Sequence, residues 1–142
     1  MHRHRVRVLC AAAAASALLP LAACGGAASS TGAVHAAATA HVSVPGADRF
    51  TPFVTDVAHG SQVTFHNGDS DTHTVVSVPG DGAALNLTLA PGQSLSVTLD
   101  STGVHHYYCS IHAHFDPATG QVAANADADN PSEPMQGVLV VS

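Results

Sequence analysis

The chain has no lysine and no tryptophan, and of its four basic residues three (Arg3, Arg5 and Arg7) fall within the first seven positions, leaving only Arg49 downstream. Such a sequence offers no basic stripe to neutralise phosphates, which excludes a nucleic-acid-binding surface. Cysteine is scarce: Cys10, Cys24 and Cys109 cannot build the disulfide framework of a small secreted scaffold. Long apolar runs are missing as well. The greasiest stretch, Val8 to Ala23, falls short of the ~20 residues a spanning helix needs and is broken by Pro20. No glycine-flanked serine precedes a helix and no helix carries paired histidines, so the common hydrolytic constellations have no foothold. With 142 residues, 46% apolar and 10% charged, the chain is nonetheless rich enough in apolar side chains for one globular domain, and too rich for a disordered tail.

The N-terminus reads as an export signal, residues 1–23: a basic start (Met1 to Arg7), the apolar run, and then Leu21-Ala22-Ala23-Cys24, which has the form of a bacterial lipobox. Small residues there fit the signal peptidase, and the Cys24 thiol is the expected site of lipidation, becoming the first residue of the mature chain. The plainer alternative is secretory cleavage near an Ala-x-Ala sequence with Cys24 incidental. Two acyl chains hold a protein stably on a membrane where one is marginal. The expected location is therefore extracytoplasmic, on the outer face of the bacterial cell membrane. Removal of the signal leaves one arginine against ten acids, a mature charge of −9. It also leaves Cys109 as the one free thiol, in a compartment where thiols usually oxidise.

Residues 24–40 are mostly glycine, alanine, serine and threonine, a composition that buries little and suits a flexible linker. The folded domain is expected to span 41–142. Short segments rich in β-branched residues recur between turn signals: His41 to Val44, Pro52 to Ala58, Gln62 to His66, His73 to Val78, Leu85 to Leu89, Ser94 to Leu99, Val104 to Cys109 and Gly137 to Val141. His59-Gly60, Asn67-Gly68-Asp69, Pro79-Gly80, Pro91-Gly92 and Thr102-Gly103 separate them. Alternation such as Val63 and Phe65 against Thr64 and His66 gives each strand one buried face. About eight strands in this pattern predict an all-β, antiparallel Greek-key sandwich. Ala113 to Pro134 shows no strong strand pattern beyond a short Gln121 to Ala123 and is expected to be a long loop before the last strand.

Three chemistry-bearing residues have the spacing to meet at one end of such a sandwich. Cys109-Ser110-Ile111-His112 follows a strand, and His73 opens another strand. A thiolate with two imidazoles in a trigonal set suits copper cycling between Cu(I) and Cu(II), with a long, weak thioether completing the site. Met135, the one methionine left once Met1 is lost, stands just before the last strand and is the thioether candidate. Gln136, Gln121 or an empty fourth position are the alternatives. His105, His106 and His114 read as packing or solvated residues, although His112 and His114 share a face if extended. Tyr107 and Tyr108 are expected to pack or to shield the metal sulfur. Asp127-Ala128-Asp129-Asn130 lacks the spaced ligands of a calcium loop and reads as a solvated acidic segment.

From His41 to Ser142 the sequence resembles the cupredoxins, in particular the plastocyanin-like small blue-copper proteins. The resemblance rests on Gly60-Ser61-Gln62-Val63-Thr64-Phe65, the loop Asn67 to Asp71 leading to His73-Thr74-Val75, the run GVHHYYCSIH from Gly103 to His112, and Met135-Gln136-Gly137. It implies a cupredoxin-like sandwich holding one type 1 copper, with His73, Cys109 and His112 as equatorial ligands and Met135 as the axial one. It also implies an electron carrier and not an enzyme; redox partner proteins and a monomeric state are the accompanying expectations. The 22 residues between His112 and Met135 depart from the few usual in the family. A copper chaperone or buffer and a metal-free structural β-domain are the competing expectations.

Overall fold

The computed structural model describes residues 37–142; the expected signal peptide, the lipobox with Cys24 and most of the expected linker lie outside the described residues. Nine strands follow in chain order: β1 (Ala37–Val44), β2 (Val54–Asn67), β3 (His73–Ser77), β4 (Asn86–Leu89), β5 (Ser94–Thr98), β6 (Gly103–Tyr108), β7 (Ala113–Asp116), β8 (Gln121–Ala124) and β9 (Gln136–Val141). The described residues are all-β, as the alternating pattern implies. β1 begins at Ala37, ahead of the expected start at His41.

Seven strands form one sheet in the order β1-β2-β9-β6-β3-β4, with β5 also on β2. It closes into a sandwich because β2 is shared between its two layers. The first part of β2 pairs with β9 (Val54↔Val138 to Val57↔Val141) and the second with β5 (Gln62↔Thr98 to His66↔Ser94). Most pairings are antiparallel, while β1–β2 and β2–β9 are parallel. The inner faces bury Val42, Val57, Val63, Phe65, Val75, Leu89 and Leu139, each 1% exposed or less. Val63 and Phe65 among them are positions that the alternation assigns to a core.

Two expectations change. The segments Pro52 to Ala58 and Gln62 to His66 are one bent strand and not a strand pair around His59-Gly60. Gly60 adopts φ 76°, a left-handed conformation that glycine takes without steric cost. The backbone there is paired rather than reversed: His59 donates to the Ser142 carbonyl (2.9 Å), Gly60 to Leu99 (2.8 Å), and Leu99 to Ser61 (3.1 Å). β1 follows by jumping register from Val57 to Gln62.

The second change is in Ala113 to Pro134, where the expected loop carries a hairpin, β7–β8, paired from Ala113↔Ala124 to Asp116↔Gln121. Its turn is made by side-chain chemistry. Asp116 accepts from Ala118 N–H (2.8 Å) and from the Thr119 hydroxyl (3.0 Å), and Gly120 N–H closes on the Asp116 carbonyl (2.8 Å) at φ 71°.

β3 and β9 both run antiparallel to β6 and flank it. The start of β3, the end of β6 and the start of β9 therefore lie at one end of the sandwich, where His73 opens β3, Cys109 directly follows β6 and Met135 directly precedes β9.

Candidate metal centre

Cys109 directly follows β6 and opens a tight turn in which its carbonyl accepts from His112 N–H (3.2 Å) and Ala113 N–H (2.9 Å). That turn swings His112 back over the thiol. His112 Nδ1 lies 3.5 Å and His73 Nδ1 3.9 Å from Cys109 Sγ. One donor atom from each of the three residues falls within 4.8 Å of the others. Two bonds of about 2.0–2.3 Å, the lengths such ions make to nitrogen and sulfur, bridge donors about 3.5–4 Å apart at angles between tetrahedral and trigonal. The donor set and its spacing thus fit one soft-to-borderline metal ion. His73 and Cys109 are fully buried, whereas the His112 side chain keeps 15% exposure.

Met135 is also buried, at 1% exposure, and its carbonyl accepts from Cys109 N–H (2.9 Å), which places its backbone directly beside the thiol residue. The alternative donors lie elsewhere: Gln121 and Gln136 line a groove with His106, and Gln121 sits at the turn end of the hairpin, opposite Asp116.

The surrounding hydrogen bonds prepare both the thiol and the imidazole. Burial, the largest single influence, pushes the Cys109 thiol up, but it is outweighed by contacts from His73, from the Thr74 N–H (3.2 Å) and hydroxyl (3.6 Å), and from Ile111 N–H. The net pKa falls to about 6. Burial likewise pulls His73 down, and its contacts with Cys109 and Asp69 more than offset that, leaving its pKa raised. Asp69 lies 3.2 Å from His73 Nε2, so that Nδ1 is the nitrogen turned to sulfur. The Asp69 carboxyl is lowered first by the N–H of Ser70 and then by His73.

Asp69 is itself positioned by Asn67, a fully buried amide. Asn67 Nδ2 donates to the carbonyls of Asp71 (2.7 Å) and Leu89 (2.9 Å), and Oδ1 accepts Asp69 N–H (2.9 Å). On the far side Thr74 Oγ1 accepts Ser110 N–H (2.7 Å), tying β3 to the Cys109 turn.

Asp48 is a residue that sequence reading passes over. It is 7% exposed, lies 3.5 Å from His112 Nδ1, and accepts Asp129 N–H at 3.2 Å. It reaches the site through a left-handed run, Gly46, Ala47 and Asp48 at φ 109°, 63° and 45°. Asp48, Asp69 and His73 form a second close group. Nothing local in the sequence marks Asp48, whereas Asp69 is detectable as a carboxylate four residues before a candidate ligand. The three other histidines weighed from the sequence are engaged elsewhere: His105 bonds the Ser101 carbonyl (2.9 Å), His106 pairs with Asp81 (3.0 Å), and His114 bonds Asn125 (2.8 Å).

No protein-family model matches the chain. Plastocyanin of Sambucus nigra is 35% identical over 74 residues, an alignment covering 44% of this chain and 75% of that protein. Among solved structures, a purple cupredoxin from Nitrosopumilus maritimus superposes with a TM-score of 0.51 at 24% identity, over 72% of this chain and 99% of that one. An oxidised amicyanin variant superposes with a TM-score of 0.53 at 23% identity, over 75% and 85%. These likenesses establish the cupredoxin fold. The plastocyanin relationship goes further: this chain belongs to the plastocyanin-like cupredoxins.

Proposed function

We propose that the domain is a one-electron carrier holding a single type 1 copper on His73, Cys109 and His112, with Met135 as axial ligand. The carrying observation is the convergence of one lowered, buried thiol and two imidazoles within 4.8 Å at the end of a cupredoxin sandwich. Copper bound there supplies the Cu(II)/Cu(I) couple. The protein's part is to hold the donors still. Thr74 donates to the sulfur and disperses its charge, Asp69 orients the His73 ring, and the Cys109 carbonyl ties down the His112 turn. Donors fixed in this way shift little between the two oxidation states, which keeps reorganisation small. Burial of His73 and Cys109 keeps water off the sulfur.

We further propose that the protein works outside the cytoplasm as a monomer, anchored by lipid on Cys24, and exchanges electrons with redox partner proteins. The support is the signal-like N-terminus, the lipobox and the acidic mature charge, which suits a basic partner surface.

The test is the visible and EPR spectrum of the full domain after addition of Cu(II), with Cys109→Ser and Met135→Ala alongside. The expected result is an intense thiolate-to-copper band and a small parallel hyperfine splitting, abolished in Cys109→Ser and shifted in Met135→Ala. A colourless protein, or copper binding indifferent to Cys109, overturns the reading in favour of a copper buffer or a metal-free domain. An unmoved Met135→Ala spectrum removes Met135 from the ligand set.

A further inference from the structure

The hairpin of Ala113 to Pro134 does more than fill the gap between His112 and β9. The residue after β8, Asn125, reaches back to the Cys109–His112 turn with two prongs. Its N–H donates to the His112 carbonyl (2.9 Å) and its Nδ2 to the Ile111 carbonyl (2.8 Å). Its Oδ1 accepts from His114 Nδ1 (2.8 Å), which fixes the amide so that Nδ2 faces Ile111. Its own carbonyl accepts Ala128 N–H (3.2 Å), so every polar group of Asn125 is engaged.

The turn is closed from inside by the Cys109 carbonyl, which leaves the carbonyls of Ile111 and His112 pointing outward. Asn125 takes both. The Ile111–His112 peptide lies on the path from the thiol to the imidazole and the His112–Ala113 peptide follows it directly, so the two bonds fix the backbone on both sides of His112 and with it the separation of Sγ from His112 Nδ1. We propose that Asn125 is a positioning residue for the metal centre and that the inserted hairpin serves as the brace carrying it. The spectroscopic part of this proposal rests on the copper reading above; the bracing itself does not.

Asn125→Ala removes one prong and the orienting contact, while Asn125→Asp keeps the Oδ1 acceptor and the backbone prong but loses the donor to Ile111. Asp116→Ala is the control, because it loosens the far turn of the hairpin without touching the ligand turn. In the metal-free protein, amide exchange at His112 and Ala113 is expected to accelerate about ten-fold in Asn125→Ala, as befits the loss of one or two neutral hydrogen bonds. In the copper-loaded protein, Asn125→Ala and Asn125→Asp are expected to shift the thiolate-to-copper band and the hyperfine splitting, with Asp116→Ala at the wild-type position. If Asn125→Ala does not fold, Asn125→Asp carries both measurements. Wild-type exchange at His112 and Ala113 in these variants overturns the proposal, as does an equal spectral shift in Asp116→Ala. A wild type without the blue band overturns the copper reading instead, and the exchange rates still decide whether Asn125 braces the turn.

Discussion

Tyr107 shows how much one residue depends on its neighbours. The sequence puts it two positions before the thiol, where packing or shielding of the metal sulfur is the natural expectation. The ring lies fully buried in the core, edge-on to Phe50 (4.9 Å, 66°) and to Phe65 (5.4 Å, 81°). Burial pushes its phenol pKa up, and the hydroxyl has no hydrogen-bond partner among the described residues. Directly opposite on β9 is Gly137, where a Cβ would run into the Tyr107 ring and hydroxyl. This glycine is there for space and not for a special φ. Gly137→Ala is therefore expected to destabilise the protein by about 1–3 kcal/mol, read from the urea midpoint. Tyr107→Phe deletes a buried hydroxyl that bonds nothing, so stability is expected to stay within about 1 kcal/mol of wild type or to rise. A larger loss would mean that the hydroxyl has a partner. That His73, Cys109 and His112 have the spacing and donor chemistry to meet at one end of the sandwich was legible in the sequence, and the structure brings one donor atom of each within 4.8 Å of the others. Asp48 and Asn125 were not, because their roles exist only through contacts with residues far along the chain or across a turn.

At the scale of the element, the β7–β8 hairpin is informative because its strands are poor in β-branched residues. Ala113, Ala123 and Ala124 carry little intrinsic strand preference, so pattern reading sees only a short Gln121 to Ala123. The turn supplies what the strands lack. The Asp116 carboxyl is held below its usual 3.8 first by Ala118 N–H and then by the Thr119 hydroxyl. A carboxyl with a depressed folded pKa contributes fully above its unfolded value and loses that contribution as pH falls through the folded one. The turn is thus expected to be intact above about pH 4 and to loosen below it. Amide shifts of Ala118 and Gly120 followed through an acid titration check this, and Asp116→Asn is expected to flatten the response. A titration identical in both proteins would show that the carboxylate does not hold the turn. The fused strand β2 teaches the converse. His59-Gly60 is a sound turn signal locally, but pairing with Ser142 and Leu99 turns it into a bend within one strand.

At the scale of the whole molecule, the lipid anchor proposed on Cys24 is open to direct test. Cys24→Ser is expected to move the protein from the membrane fraction to the soluble extracytoplasmic fraction without changing its copper spectrum. Retention in the membrane fraction would point to an anchor other than the lipid. By itself the sequence determined the all-β class, core-facing positions such as Val63 and Phe65, and the chemistry of the donor set. Alternation and turn residues act over a few positions, and a thiolate and imidazoles are what they are wherever they fall. Only the tertiary structure decided that β2 is shared between the two layers, that the inserted segment folds back as a hairpin, and that Asp48 and Asn125 attend the metal turn. The contact between Asp129 and Asp48 spans 81 positions. Such a contact forms only once strand order and closure have brought the two ends together, and no local pattern encodes that.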